Sequence, residues 1–362
     1  MKIKEAGFDL ALFLIIVLLA CTGIIMIYSS SYFTALDMTN KSGFFLQKQL
    51  LALGAGFAAM LIFSQIGYWK LKKVAIPFFI CVVVLLVIVL VLPPIKGSTR
   101  WINIGIFGVQ PSEFAKLSIV ILFAKMVSAC QEKMKNFSSG ILPFLVMLIL
   151  LNLLVLKQPD LGTASMITMI AFFMIYVGGA NFGQLALVVA TFAGGTFLVI
   201  INSLYKMKRV VAWLDPFKDA SGAGYHIIQS LIAIGSGGLS GLGLAQSKQK
   251  FSSLPEQYTD FIFAIICEEL GFFGAVTVLI LFMGLLWRGV YVARKAPDLF
   301  GFLLAAGITF YVFVQALTNI SVVLNIVPVT GVPLPFISYG GSSILVTLSS
   351  MGILLNISRY TR

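Results

Sequence analysis

The chain has 362 residues, of which 59% are hydrophobic and 10% charged, and its mean hydropathy is +1.03. Soluble domains carry about 25% charged residues, so a globule facing water on all sides is excluded. The formal charge of +12 is scattered between apolar runs. That pattern fits anionic lipid or a phosphate-bearing substrate better than nucleic acid.

The apolar runs are continuous and do not alternate, which argues against a barrel and leaves helices, whose backbone amides pair internally in lipid. A bilayer core takes roughly 20 residues of helix. About ten spans are predicted on that measure, at 9–30, 46–66, 74–93, 112–129, 141–157, 160–178, 184–203, 259–286, 300–322 and 342–357. The first run imitates a signal peptide, with Ser29-Ser30-Ser31 as a small-residue site, but its length and the runs after it predict a retained span. Lys157-Gln158-Pro159-Asp160 separates spans five and six, because these residues would be costly in mid-bilayer. The expected fold is all-α integral membrane, one domain over 1–362, with a large extracytoplasmic loop at 204–258 between spans seven and eight. Cys21, Cys81, Cys130 and Cys267 lack CxxC spacing and read as packing residues.

Basic residues set the orientation. Lys2, Lys4, Lys70, Lys72, Lys73, Lys133, Lys135, Arg288, Arg294, Lys295, Arg359 and Arg362 fall in one set of loops, against Lys41, Lys48, Lys96, Arg100 and Lys157 in the short loops of the other. Both termini are therefore expected on the cytoplasmic side. Lys206, Lys208, Arg209, Lys218, Lys248 and Lys250 run against that count. Irregular sequence gathers at 94–111, 204–258 and 326–341, all on the outer face, so the active face should be the outer one.

Asp260 is the strongest candidate for chemistry. It stands where a polar loop enters the eighth span, and Ala264, Cys267, Gly271 and Ala275 continue its helical face. A partly desolvated carboxylate there suits a general base, and a helix-capping acid is the equal alternative. Glu268 and Glu269 lie deeper, where structural pairing with a basic residue is favoured over catalysis. Gln110-Pro111-Ser112-Glu113 reads as a helix start, and Glu113 and Lys116 at i,i+3 can form a local ion pair. Arg100 and Lys116 are placed to bind phosphate, one as a planar fork and one as a point charge. The glycine-rich 235–243 stretch lacks the Gly-Lys-Ser/Thr ending of a nucleotide loop and suits a flexible or re-entrant segment. The lone His226 reads as packing. The proline-rich 327–336 stretch and Ser338 through Ser343 form a stiff polar loop, a structural cap or a substrate lining.

Taken in order, Lys96-Gly-Ser-Thr-Arg-Trp-Ile, Gln110-Pro-Ser-Glu-Phe-Ala-Lys116, Gln158-Pro-Asp-Leu-Gly-Thr163, Tyr225 through Gly243, Leu254-Pro-Glu-Gln-Tyr-Thr-Asp-Phe261 and Pro328 through Ser343 resemble the SEDS family (shape, elongation, division and sporulation) of bacterial cell-wall proteins. Residues 241–250 are more similar to its division and sporulation branch (FtsW- and SpoVE-type) than to the elongation branch (RodA-type). Tyr258 stands where histidine is common in the family. The resemblance implies a multi-pass peptidoglycan glycosyltransferase of the bacterial cytoplasmic membrane, polymerising lipid II at the outer face. The family's essential acid falls on Asp260, and Arg100 and Lys116 match basic positions serving substrate or structure. Gln110, Glu113 and Ser343, from the same motifs, join them as candidate substrate-binding residues. A class B penicillin-binding protein transpeptidase, other divisome or septal proteins and membrane lipid are the implied partners, with no nucleic acid. A divalent cation, Mg²⁺ or Mn²⁺, is a candidate cofactor beside Arg100 or Lys116, and no organic cofactor is expected. The rival readings are a lipid II flippase and a non-catalytic scaffold.

Overall fold

The computed structural model describes residues 7–93, 99–104, 107–222, 224–250 and 257–361. Lys2, Lys4, Lys96, Gly97, Ser98, Leu254, Pro255, Glu256 and Arg362, used in the sequence argument, lie outside the described residues. The elements run α1 (Leu10–Thr39), α2 (Phe44–Gln65), α3 (Leu71–Val91), β1 (Ile102–Ile104), β2 (Phe107–Val109), α4 (Pro111–Ala129), α5 (Leu142–Lys157) and α6 (Leu161–Val177). They continue with α7 (Phe182–Ile201), α8 (Leu204–Leu214), α9 (Tyr225–Gly237), α10 (Ile262–Arg294), α11 (Leu299–Val323) and α12 (Gly341–Ser358).

Each predicted span falls on a helix. Among the described residues, 8 helices are long and apolar enough to cross a membrane. The two others are α6, which is shorter at 17 residues, and α4, which carries Glu113, Lys116 and Lys125. The first helix outruns its apolar stretch by several turns. Ser29, Ser30 and Ser31 lie mid-helix and buried, and the Ser29 hydroxyl donates to Glu269. Polar caps set several starts: Asp9, Asp160 and Asp298 accept from Leu12, Thr163 and Gly301 amides, and Pro111 opens α4 as expected.

The bundle is built around α11 and α12, which are buried along most of their length. α12 packs along α2, while α11 sits among α10, α4 and α6. α7 is peripheral, with Leu185 and Val188 as its buried residues. The 204–258 segment is more ordered than a loop: α8 and α9 lie within it, each too short to span. β1 and β2 form a small antiparallel hairpin, Asn103 opposite Gly108.

α10 is broken at Gly271, whose φ of 64° and ψ of −161° belong to a region essentially reserved for glycine. The break frees backbone groups of α10, and the glycine-rich segment takes them up. Leu242 and Gly243 amides donate to the Glu268 and Glu269 carbonyls, and Phe272 and Phe273 amides donate to Gly238 and Leu239. Gly241, at φ 79°, packs against this kink so closely that a Cβ on either glycine would overlap the other's backbone. The stretch is thus a fitted splint rather than a flexible segment. Gly271→Ala is expected to cost about 1–3 kcal/mol from backbone strain alone. Thermal melting in detergent checks this, and a melting point equal to wild type would contradict the kink.

Candidate functional site

Asp260 lies in a turn over 257–261, ahead of α10, which begins at Ile262. The helix N-cap position is Phe261, which makes no side-chain capping bond, so Asp260 stands outside the helix rather than on its first face. The turn is held from behind by the 326–340 loop, which folds inward and buries Val332, Leu334, Phe336, Ile337 and Ser338. Tyr258, Tyr339 and Phe45 meet as a ring cluster, with centroids 4.6 to 5.8 Å apart. Burial pushes the Tyr339 phenol above its ordinary pKa, so it remains a neutral hydroxyl. The Asp260 carboxylate reaches over Gly331, where φ is +70° and an added Cβ would come within 3.4 Å of its Oδ2. Glycine therefore serves there both for its backbone and for the open flank beside the acid.

A cavity of about 450 Å³ opens at this point. Asp260 and Phe261 form one wall, Val329 and Gly331 another, Lys208 and Arg209 from α8 a third, and Asp219, Gly222, His226 and Ile227 the remainder. α8 is amphipathic: Leu204, Met207, Val211 and Leu214 recur at helical spacing and are exposed. Its inner face is strapped to the 325–329 loop. Arg209 donates to the Val329 carbonyl at 3.3 Å, and Trp213 and Asn325 exchange hydrogen bonds with each other's carbonyls. The His226 ring stacks on Phe261 with centroids 5.9 Å apart. Two cations, two carboxylates and an imidazole thus line one space.

The other candidate residues form a separate cluster, and none of them lines this cavity. Arg100 wraps the corner before α6, donating to the Gln158 carbonyl at 2.9 Å and to Pro159, with Asp160 3.8 Å away. Lys116 is buried. Its ammonium lies 2.8 Å from Glu113 and 2.6 Å from the Gln315 side-chain oxygen, above the Tyr311 ring. The i,i+3 pair anticipated from spacing therefore exists, with an additional partner on α11. The Gln110 amide donates to the Ser342 hydroxyl, which donates to Gly108 and so joins the hairpin to α12. Ser343 is buried in the first turn of α12. This geometry is that of a frame, and it leaves Arg100 and Lys116 engaged with protein oxygens.

The two deep acids are also engaged. Glu268 accepts from the Ser247 hydroxyl and from the Lys248 and Gln249 amides. Glu269 pairs with buried Lys250 at 3.0 Å and accepts from Ser29. Together they tie the segment preceding Asp260 to α10 and α1.

Lys208, Arg209 and Asp219 were not singled out as site residues from sequence, and His226 was set aside. The available signal is the basic group in 204–258, which runs against the charge count of the short loops.

Comparison with known proteins gives one consistent result. The model of the FtsW/RodA/SpoVE family, described as "Cell cycle protein", matches residues 9–362. The chain is 42% identical to stage V sporulation protein E of Bacillus subtilis, covering 100% of both sequences. It is 39% identical to a probable peptidoglycan glycosyltransferase FtsW of Geobacter metallireducens, over 99% of this chain and 96% of the relative. Among solved structures, one described as "Structural coordination of polymerization and crosslinking by a peptidoglycan synthase complex" contains a similar chain. Its TM-score is 0.81 at 28% identity, covering 97% of this chain and 98% of that one. The crystal structure of Thermus thermophilus rod shape determining protein RodA aligns with a TM-score of 0.72 at 26% identity, over 98% of both chains. With a family match over nearly its whole length and this shared architecture, the chain belongs to the FtsW/RodA/SpoVE family of multi-pass membrane proteins.

Proposed function

We propose that the protein is a peptidoglycan glycosyltransferase that polymerises lipid II in the cavity beside Asp260. The observation that carries the site is the meeting of that carboxylate with Lys208 and Arg209 around one space of about 450 Å³. The names of the relatives, glycosyltransferases rather than carriers, favour polymerisation over a lipid II flippase.

Asp260 accepts the proton of the acceptor sugar hydroxyl as its oxygen bonds to the donor's anomeric carbon. The bond from that carbon to the diphosphate oxygen breaks, and the polyprenyl diphosphate leaves with the electron pair. Attack opposite the leaving group inverts the anomeric centre. Lys208 and Arg209 stabilise the charge gained by the diphosphate. Arg100, Glu113 and Lys116, with Gln110 and Ser343, act as the frame behind the site rather than as ligands.

No group of three or more His, Cys, Asp or Glu able to hold a metal exists among the described residues. Asp219 and Asp260 would hold Mg²⁺ or Mn²⁺ only in company with substrate phosphate oxygens, a mode common for Mg²⁺. Bound there, such an ion would neutralise leaving-group charge.

In this reading the cavity opens at the outer face of the bacterial cytoplasmic membrane, with both termini cytoplasmic and 204–258 outside. The excess of Lys and Arg in the short loops at the opposite end supports it, with 204–258 left out of the count. A class B penicillin-binding protein transpeptidase is the expected partner, in line with the polymerising and crosslinking complex among the similar structures.

Purified protein incubated with labelled lipid II, with and without a candidate transpeptidase, tests the activity. Glycan ladders on a gel are expected, and their absence under both conditions would overturn the reading. The Lys208→Ala/Arg209→Ala double variant is expected to lose roughly tenfold to a thousandfold in kcat/KM, on the scale of removing transition-state charge stabilisation. Equal rates for variant and wild type would remove the diphosphate assignment.

A further inference from the structure

Three successive backbone carbonyls lead into the catalytic position, and each is taken by a donor from the same side. The Tyr258 carbonyl accepts from the Tyr339 amide at 2.9 Å. The Thr259 carbonyl accepts from the Ser338 hydroxyl at 2.5 Å, and that hydroxyl also accepts from the Leu334 amide at 2.8 Å. The Asp260 carbonyl accepts from the Asn319 side-chain nitrogen at 2.7 Å, and the same nitrogen donates to the Val332 carbonyl at 2.8 Å.

Asn319 is 1% exposed, and it stands one turn from Gln315 on the same face of α11. Gln315 repeats the arrangement a step deeper, donating to the Pro333 carbonyl at 3.0 Å while accepting from Lys116. A side-chain amide nitrogen carries two N–H donors, so one Asn can bind two carbonyls at once. Here it joins the Asp260 peptide to the loop that supplies Gly331, the residue beneath the carboxylate.

We infer that Asn319, with Ser338, is a positioning residue that fixes the Asp260 peptide so that its carboxylate meets substrate at one distance and angle. The inference rests on the proposed role of Asp260 as base. The chemistry supports a positioning device over a generic packing contact. All three hydrogen bonds act on main-chain carbonyls of 258–260, in the turn that precedes α10. The buried Lys116–Glu113 pair anchors the α11 face from behind through Gln315. A misplacement of about 1 Å at a reacting group can cost on the order of a hundredfold in rate. Holding the peptide from its carbonyl side leaves the side chain in the cavity wall.

The test is steady-state polymerisation of fluorescent lipid II by the full-length protein carrying Asn319→Leu or Ser338→Ala, with Asp260→Asn in parallel. Leu keeps the branched shape of Asn319 at a somewhat larger volume and removes both donors, while Ser338→Ala is the gentler change should the first variant fold poorly. Both are expected to lower kcat by roughly tenfold to a hundredfold, with KM within about twofold and, for Ser338→Ala, an unchanged melting temperature. A purely structural role would instead lower melting temperature and folded yield, leaving kcat per folded molecule intact. Wild-type kcat in folded Ser338→Ala or Asn319→Leu, alongside an inactive Asp260→Asn, would overturn the positioning role alone. Activity in Asp260→Asn would overturn the base assignment on which it rests.

Discussion

Asp260→Asn is expected to abolish polymerisation of lipid II, lowering the rate by roughly 10²–10⁴-fold, the range typical of a general base. The substitution is nearly isosteric, and the amide cannot take up the proton that the acceptor hydroxyl must release. Folding should survive. The main-chain carbonyl of residue 260, which Asn319 holds, is unchanged, and the residue lies in the turn ahead of α10. Insertion into membranes, melting in detergent and retention of lipid II should match wild type while glycan ladders disappear. Asp260→Glu gives a graded companion: it keeps the base but advances it by one methylene, so a partial rate is expected. Normal ladders from the Asn variant would transfer the base role elsewhere, and His226 and Asp219 are the titratable groups lining the same cavity.

Much of the fold was legible in the apolar runs because lipid leaves a chain few choices: helix length and backbone pairing are set by the bilayer itself. Boundaries were less legible. α1 runs past Ser29–Ser31, which are buried in the bundle rather than facing lipid, and the partner that takes the Ser29 hydroxyl, Glu269, lies 240 residues away. The same reason explains the site. Arg100 and Lys116 have the chemistry of phosphate ligands, but spacing cannot reveal which oxygens claim them. Gln315, which takes Lys116, is 199 residues distant. Lys208 and Arg209 are visible in the sequence as part of the basic group in 204–258 that runs against the charge count of the short loops. The 235–243 glycines suit a flexible or a re-entrant segment equally in sequence, because the sequence does not show that α10 breaks at Gly271 and needs foreign donors and acceptors there.

The buried pair of Glu269 and Lys250 sets the largest expected stability effect. Both side chains are at most 1% exposed, with 3.0 Å between ammonium and carboxylate, and the Ser29 hydroxyl bonds the same carboxylate. Desolvating two charges is costly, and their mutual attraction offsets that cost only while both remain. Lys250→Met preserves most of the volume but leaves Glu269 facing one hydroxyl, and a loss of about 3–5 kcal/mol is expected. Lys250→Met combined with Glu269→Leu removes the orphaned charge and should regain most of that stability, since replacing a whole buried pair by apolar residues is often neutral or favourable. Melting temperatures of the two variants in one detergent decide between charge and packing. If the double variant melts no higher than Lys250→Met, the lysine acts through its packed stem rather than through its charge. Recovery would mean that the loss in Lys250→Met comes from the orphaned Glu269 charge, since an apolar pair then supplies comparable stability in the same place.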